Sequence, residues 1–120
     1  MKIKDHYINN TKVAEIIADS VVIQNIEEAL DLIGNIGYQG YHQMIIHEKN
    51  IVPDFFDLKT KIAGEILQKF IQYQMPLIIV GNFSKYDSKS LNDFIFESNK
   101  GKNINFVSSQ SEALKLLDKS

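Results

Sequence analysis

The sequence predicts an α/β domain in which a mostly parallel sheet begins with an N-terminal hairpin and carries helices packed on it. Two observations point there first. The short apolar runs Gln43-Met44-Ile45-Ile46-His47 and Leu77-Ile78-Ile79-Val80-Gly81 are bounded by polar residues, as strands covered on both faces are. Between and after them lie stretches with helical spacing, and a further short run follows at Ile104-Asn105-Phe106-Val107. Strands alternating with helices in this way need right-handed crossovers, which lay the helices against a parallel sheet. The expected order is β-β-α-β-α-β-α-β-α. A length of 120 residues fits one domain spanning 1–120.

Each element has its own local reason. Ile3 to Ile8 and Val13 to Ile17 flank Asn9-Asn10-Thr11, a turn-forming step between two strands. Asn25 is a good helix cap with Glu28 three residues on, and Ile26, Ala29, Leu30 and Ile33 share one face until Gly34 or Gly37 ends the helix. The strongest periodic signal follows Pro53. Phe55, Leu58, Ile62, Ile66 and Phe70 form one stripe, widened by Ala63, Leu67 and Ile71, so a long helix capped by Asp54 is expected to reach about Gln74. Asp57/Lys61 and Glu65/Lys69 have i,i+4 spacing on it, and Gly64 implies a close backbone contact, since it costs about 1 kcal/mol relative to alanine. Ser90 with Asp93 opens a third helix that closes near Gly101, and Ser109 with Glu112 opens the last.

Composition narrows the function classes. With no cysteine, disulfides, thiolate metal sites and cysteine nucleophiles are excluded. A net charge of −2 and a pI near 5.9 argue against nucleic acid as a partner. All 13 basic residues are lysines, so no guanidinium fork is present to grip phosphate or carboxylate. No apolar stretch is long enough to span a membrane, and the early residues turn polar too soon for a secretory signal, so a cytoplasmic protein is expected.

The candidate residues cluster where strands feed helices, the usual place for binding surfaces in open α/β sheets. His47 and Glu48 at a strand end have the chemistry of a general acid/base pair, but neighbours on a strand point to opposite faces. His42 and His47, with His6 and with Glu48, Asp54 or Asp57, show no metal-ligand spacing, so neither metal nor cofactor is expected. The loop after Val80 carries Asn82, Ser84, Lys85, Tyr86 and Ser88 before a helix start, an outline of an anion cradle without Walker A spacing. Phe55 and Phe56, with Tyr38 and Tyr41, are candidates for an exposed aromatic patch. No G-x-S-x-G elbow is present, and no histidine follows His47, so a Ser…Asp…His triad is excluded.

The segments Pro53-Asp54-Phe55-Phe56-Asp57-Leu58-Lys59-Thr60, Ala63-Gly64-Glu65-Ile66-Leu67, Gly81-Asn82-Phe83-Ser84-Lys85-Tyr86 and Phe94-Ile95-Phe96-Glu97-Ser98-Asn99-Lys100-Gly101 resemble domain-of-unknown-function family 4180 over nearly the whole chain. The resemblance implies a free-standing bacterial domain and brings no activity with it, because the family has none assigned. The element order is also similar to the STAS domains of sulphate transporters and anti-sigma-factor antagonists. That similarity implies partner binding around the start of the second helix, where this chain has Asp54 and Asp57 but no serine to phosphorylate.

The expectation is therefore a non-catalytic interaction or regulatory module. Its contact residues are His47, Glu48, Asp54, Phe55, Asp57, Lys59, Asn82, Ser84, Lys85, Tyr86 and Ser88, and its partner is a protein or a second copy. The alternative is a binder or enzyme of a small anion that uses the 82–89 loop with His47 or Glu48.

Overall fold

In the computed structural model, which describes residues 1–118, β1 (Lys2–Ile8) and β2 (Thr11–Ile17) form the hairpin, followed by α1 (Ile26–Tyr38) and β3 (Gln43–His47). Then come α2 (Ile62–Gln72), β4 (Leu77–Val80), α3 (Lys89–Ser98), β5 (Ile104–Val107) and α4 (Gln110–Asp118). The sheet runs β1-β2-β3-β4-β5 in space, with β1 antiparallel to β2 and every other pair parallel. The α/β order read from the sequence is the observed one. Asn9 and Asn10 both take positive φ (52° and 65°) at the hairpin turn, a conformation asparagine tolerates better than most residues.

Because the crossovers all step the same way across the sheet, α1, α2 and α3 share one face. There Ala14, Ile16, Met44, Ile46, Leu77, Ile79, Ile104 and Phe106 form the main core with the helices' apolar stripes. The alternate strand positions, Val13, Ile45, Ile78 and Val80, face the other way and form a smaller cluster with Ala113 and Leu117 of α4, against which Ile8, Val107 and Leu114 pack. One face thus carries three helices and the other carries one, packed against β1, β4 and β5. On that thinly covered face, the carboxyl ends of β2 and β3 carry polar residues in place of apolar ones.

Several local boundaries differ from the sequence reading. The segment after Pro53 is not one long helix: 3₁₀ turns at Pro53–Phe56 and Leu58–Thr60 precede α2. Asp57 is extended (φ −102°, ψ 99°) and Lys61 is left-handed (φ 66°), so the chain breaks twice and Asp54 does not cap α2. Asp57 instead caps the second turn, accepting from the Lys59 N–H at 3.2 Å, and Asp57 and Lys61 never share a helical turn. The breaks swing Phe55 and Phe56 into the core, where tertiary packing rejoins them to the stripe of α2.

Gly34 and Gly37 lie inside α1, which continues to Tyr38. Helix α3 is capped by Ser88 rather than Ser90, while Asp93 pairs with Lys89 at 2.8 Å. A Cβ on Gly64 would meet nothing within 4 Å, so the close contact expected there does not exist within the chain.

Candidate functional site

The carboxyl ends of β2 and β3 hold the least expected group in the molecule. Glu15, flanked by Val13, Ala14 and Ile16, is only 1% exposed yet charged. Its Oε1 accepts from His6 Nε2 at 2.8 Å and from Gln110 Nε2 at 2.5 Å, and its Oε2 accepts from His47 Nε2 at 2.7 Å. The geometry follows from strand periodicity. Glu15 and Val13 point to the α4 face, His6 sits opposite Val13 in the hairpin, and His47 is two residues beyond Ile45 on β3. Gln110 arrives from the first turn of α4.

Burial by itself would raise the Glu15 pKa. The hydrogen bonds from His6, His47 and Gln110, with the nearby His47 charge, outweigh that and hold the carboxyl below its ordinary value. As an ionised acceptor it requires an N–H from each ring, so both imidazoles present Nε2–H to it. In the neutral form of either ring Nδ1 is then left as an acceptor, the arrangement by which carboxylates orient working histidines. No grouping of three or more His, Cys, Asp or Glu suited to holding a metal ion occurs among the described residues.

Beside this cluster lies a pocket of about 300 Å³ lined by Glu15, Asp19, His47, Lys49, Asn50 and Gln110, with Ile17 and Ala18. Asn50 is fully buried. Its amide donates to the carbonyls of Ala18 (2.9 Å) and Ser20 (2.8 Å), and its backbone carbonyl accepts from Val22 and Ile23, so it clamps the 18–23 segment to the exit of β3. Its Oδ1 has no partner. His6 and Gln110 also border a wider groove of about 590 Å³ beside α4.

One residue past His47 the chain serves the opposite face. Glu48 accepts from the Tyr86 hydroxyl, meets Lys85 Nζ at 2.8 Å and takes the Asn82 N–H at 3.3 Å. Burial, then the Glu48 carboxylate, pushes the Tyr86 phenol above its ordinary range. Tyr86 stacks on Phe56 (5.3 Å between centroids, 17° between planes), and Phe83 bridges Phe56 to Phe106. A Cβ on Gly81 would lie 2.6 Å from Glu48 Cβ, so only glycine lets the loop approach this closely. Together these contacts staple the 82–86 turn onto the 48–56 junction.

The sequence-derived residues therefore separate into groups. His47 joins Glu15 on one face, while Glu48, Lys85, Tyr86 and Asn82 meet on the other. Ser84 donates to the Asn82 side chain at 2.7 Å, and Ser88 is spent capping α3. Asp54, Asp57 and Lys59 are exposed on the junction. Phe55 (1% exposed), Phe56 and Tyr41 are buried, so the exposed aromatic patch does not form; Tyr38 alone of that set is exposed.

Sequence reasoning missed Glu15 and Gln110, and weighed His6 only as a metal ligand and not as a partner of Glu15. Glu15 had left a signal, a carboxylate amid apolar residues of a strand, which is costly unless partners wait in the fold. His6 and Gln110 left none, since their partner lies 9 and 95 residues away.

Residues 8–117 match the model of a family described as Domain of unknown function (DUF4180). The chain belongs to that family. No curated protein and no solved structure matches it.

Proposed function

We propose that this DUF4180 chain is a non-catalytic interaction or regulatory module that presents the junction at 48–61 and the loop at 82–89 to a protein partner. The observation that carries the reading is how the loop's polar groups are used. Lys85 and Tyr86 are held by Glu48, Lys89 by Asp93, Ser84 by Asn82, and Ser88 by the α3 backbone. An anion entering the loop would compete with Glu48 and Asp93 for these groups, and His47, the proton carrier of the small-anion alternative, faces away. What remains outward is a stapled polar surface bearing Asp54, Asp57, Lys59 and Asn82, set on the buried rings of Phe55 and Phe56. The similarity of the element order to STAS domains favours the same place by analogy of fold.

A photo-crosslinker at position 59 tests it, with one at position 115 on the far face as control. The expected result is a discrete adduct in cells from position 59 only, lost when Asp54→Lys and Asp57→Lys are introduced together. An adduct with a second copy identifies self-association, and one of another mass identifies a separate protein. Equal labelling from both positions, or none from 59, overturns the reading.

A further inference from the structure

We infer that the pocket beside Glu15 is a binding site for a small organic cation bearing ammonium or amidinium N–H groups. Three N–H donors converge on the Glu15 carboxylate, and this fixes what they leave behind. With Nε2–H committed, a neutral His47 offers Nδ1 to the pocket as an acceptor. With its amide N–H₂ directed at Glu15, Gln110 offers its amide oxygen. Asn50, which lines the same pocket, keeps a buried oxygen with no partner although both of its donors are used.

The charges agree with the acceptors. Among the carboxylates and lysines that line it, Glu15 and Asp19 contribute two negative charges and Lys49 one positive. A volume near 300 Å³ suits a compact ligand rather than a nucleotide or a peptide. The place agrees as well, since the carboxyl ends of parallel strands are where open α/β sheets bind ligands. The pocket borders the start of the 48–61 junction through Lys49 and Asn50, but its acceptors come from Glu15, His47 and Gln110, which the proposed function does not use.

Titration of isotopically labelled protein with benzamidine and with agmatine, followed by amide chemical shifts, tests the inference. Saturable shifts are expected around 15–19, 47–50 and 110, with little change around 82–89. Gln110→Ala and His47→Ala should each weaken binding about tenfold or more while keeping a folded spectrum. Gln110→Ala guards against loss of fold in the histidine variant, because Gln110 lies in the first turn of α4. Absence of saturation by either cation at about 10 mM overturns the inference. So does unchanged affinity in both variants, or a response at these amides to inorganic phosphate alone.

Discussion

Glu15 and Glu48 are both carboxylates at the carboxyl edge of one sheet, both held by several donors, and the difference between them separates a site from a staple. Glu48 is matched by charge: Lys85 neutralises it, and Tyr86 and Asn82 complete it. Glu15 is held by two imidazoles and an amide, groups that each keep a second polar atom after bonding it. A full positive charge compensates Glu48 directly, whereas Glu15 is held by a neutral amide and two imidazoles, whose second polar atoms are left for other partners. The adjacent residues His47 and Glu48 belong to different networks because a strand alternates its faces.

The comparison breaks first at Glu15. Glu15→Ala leaves three donors without an acceptor, and we expect a loss of about 3 kcal/mol at neutral pH, read from chemical denaturation. The pH dependence has a definite sign. The folded pKa of Glu15 lies below its ordinary value of 4.5, so its contribution is fully present above about pH 4.5 and is lost as pH falls through the lower folded value. Stability of Glu15→Ala should therefore fall less steeply in acid than that of the parent. A variant with the parent's full acid slope would remove Glu15 as its source.

The staple should cost less to disturb. Gly81→Ala forces a methyl group against Glu48 and is expected to destabilise by about 1–2 kcal/mol. Combined with Glu48→Ala, its effect should fall short of the sum of the two single changes, because both act on one contact. Strict additivity would mean that Gly81 does not serve Glu48. The smallest effect is a gain: Gly64→Ala in α2 meets open space and should stabilise by about 0.5–1 kcal/mol, visible as a raised denaturation midpoint. A loss there would restore the close contact first expected, now with a neighbouring molecule.

The element order was readable from the chain because strand and helix periodicities are local. Met44-Ile45-Ile46 and Leu77-Ile78-Ile79-Val80 can be covered on both faces only inside a sheet, and Asn9-Asn10 can close a hairpin unaided. The stripe from Phe55 to Phe70 read as one helix because packing places Phe55 beside α2 even though the backbone breaks at Asp57 and Lys61. Hydrophobic spacing records which residues share a core and not whether the backbone between them is continuous.

By itself the sequence determined the α/β class, the absence of thiol chemistry, and the separation of His47 from Glu48. Only the tertiary structure decided that the thinly covered side of the sheet carries a buried carboxylate between His6 and His47, with Gln110 reaching it from the last helix. The reason is physical. A charge in a strand signals that compensation must exist, but the compensating groups come from distant segments brought to one point by the closure of the fold.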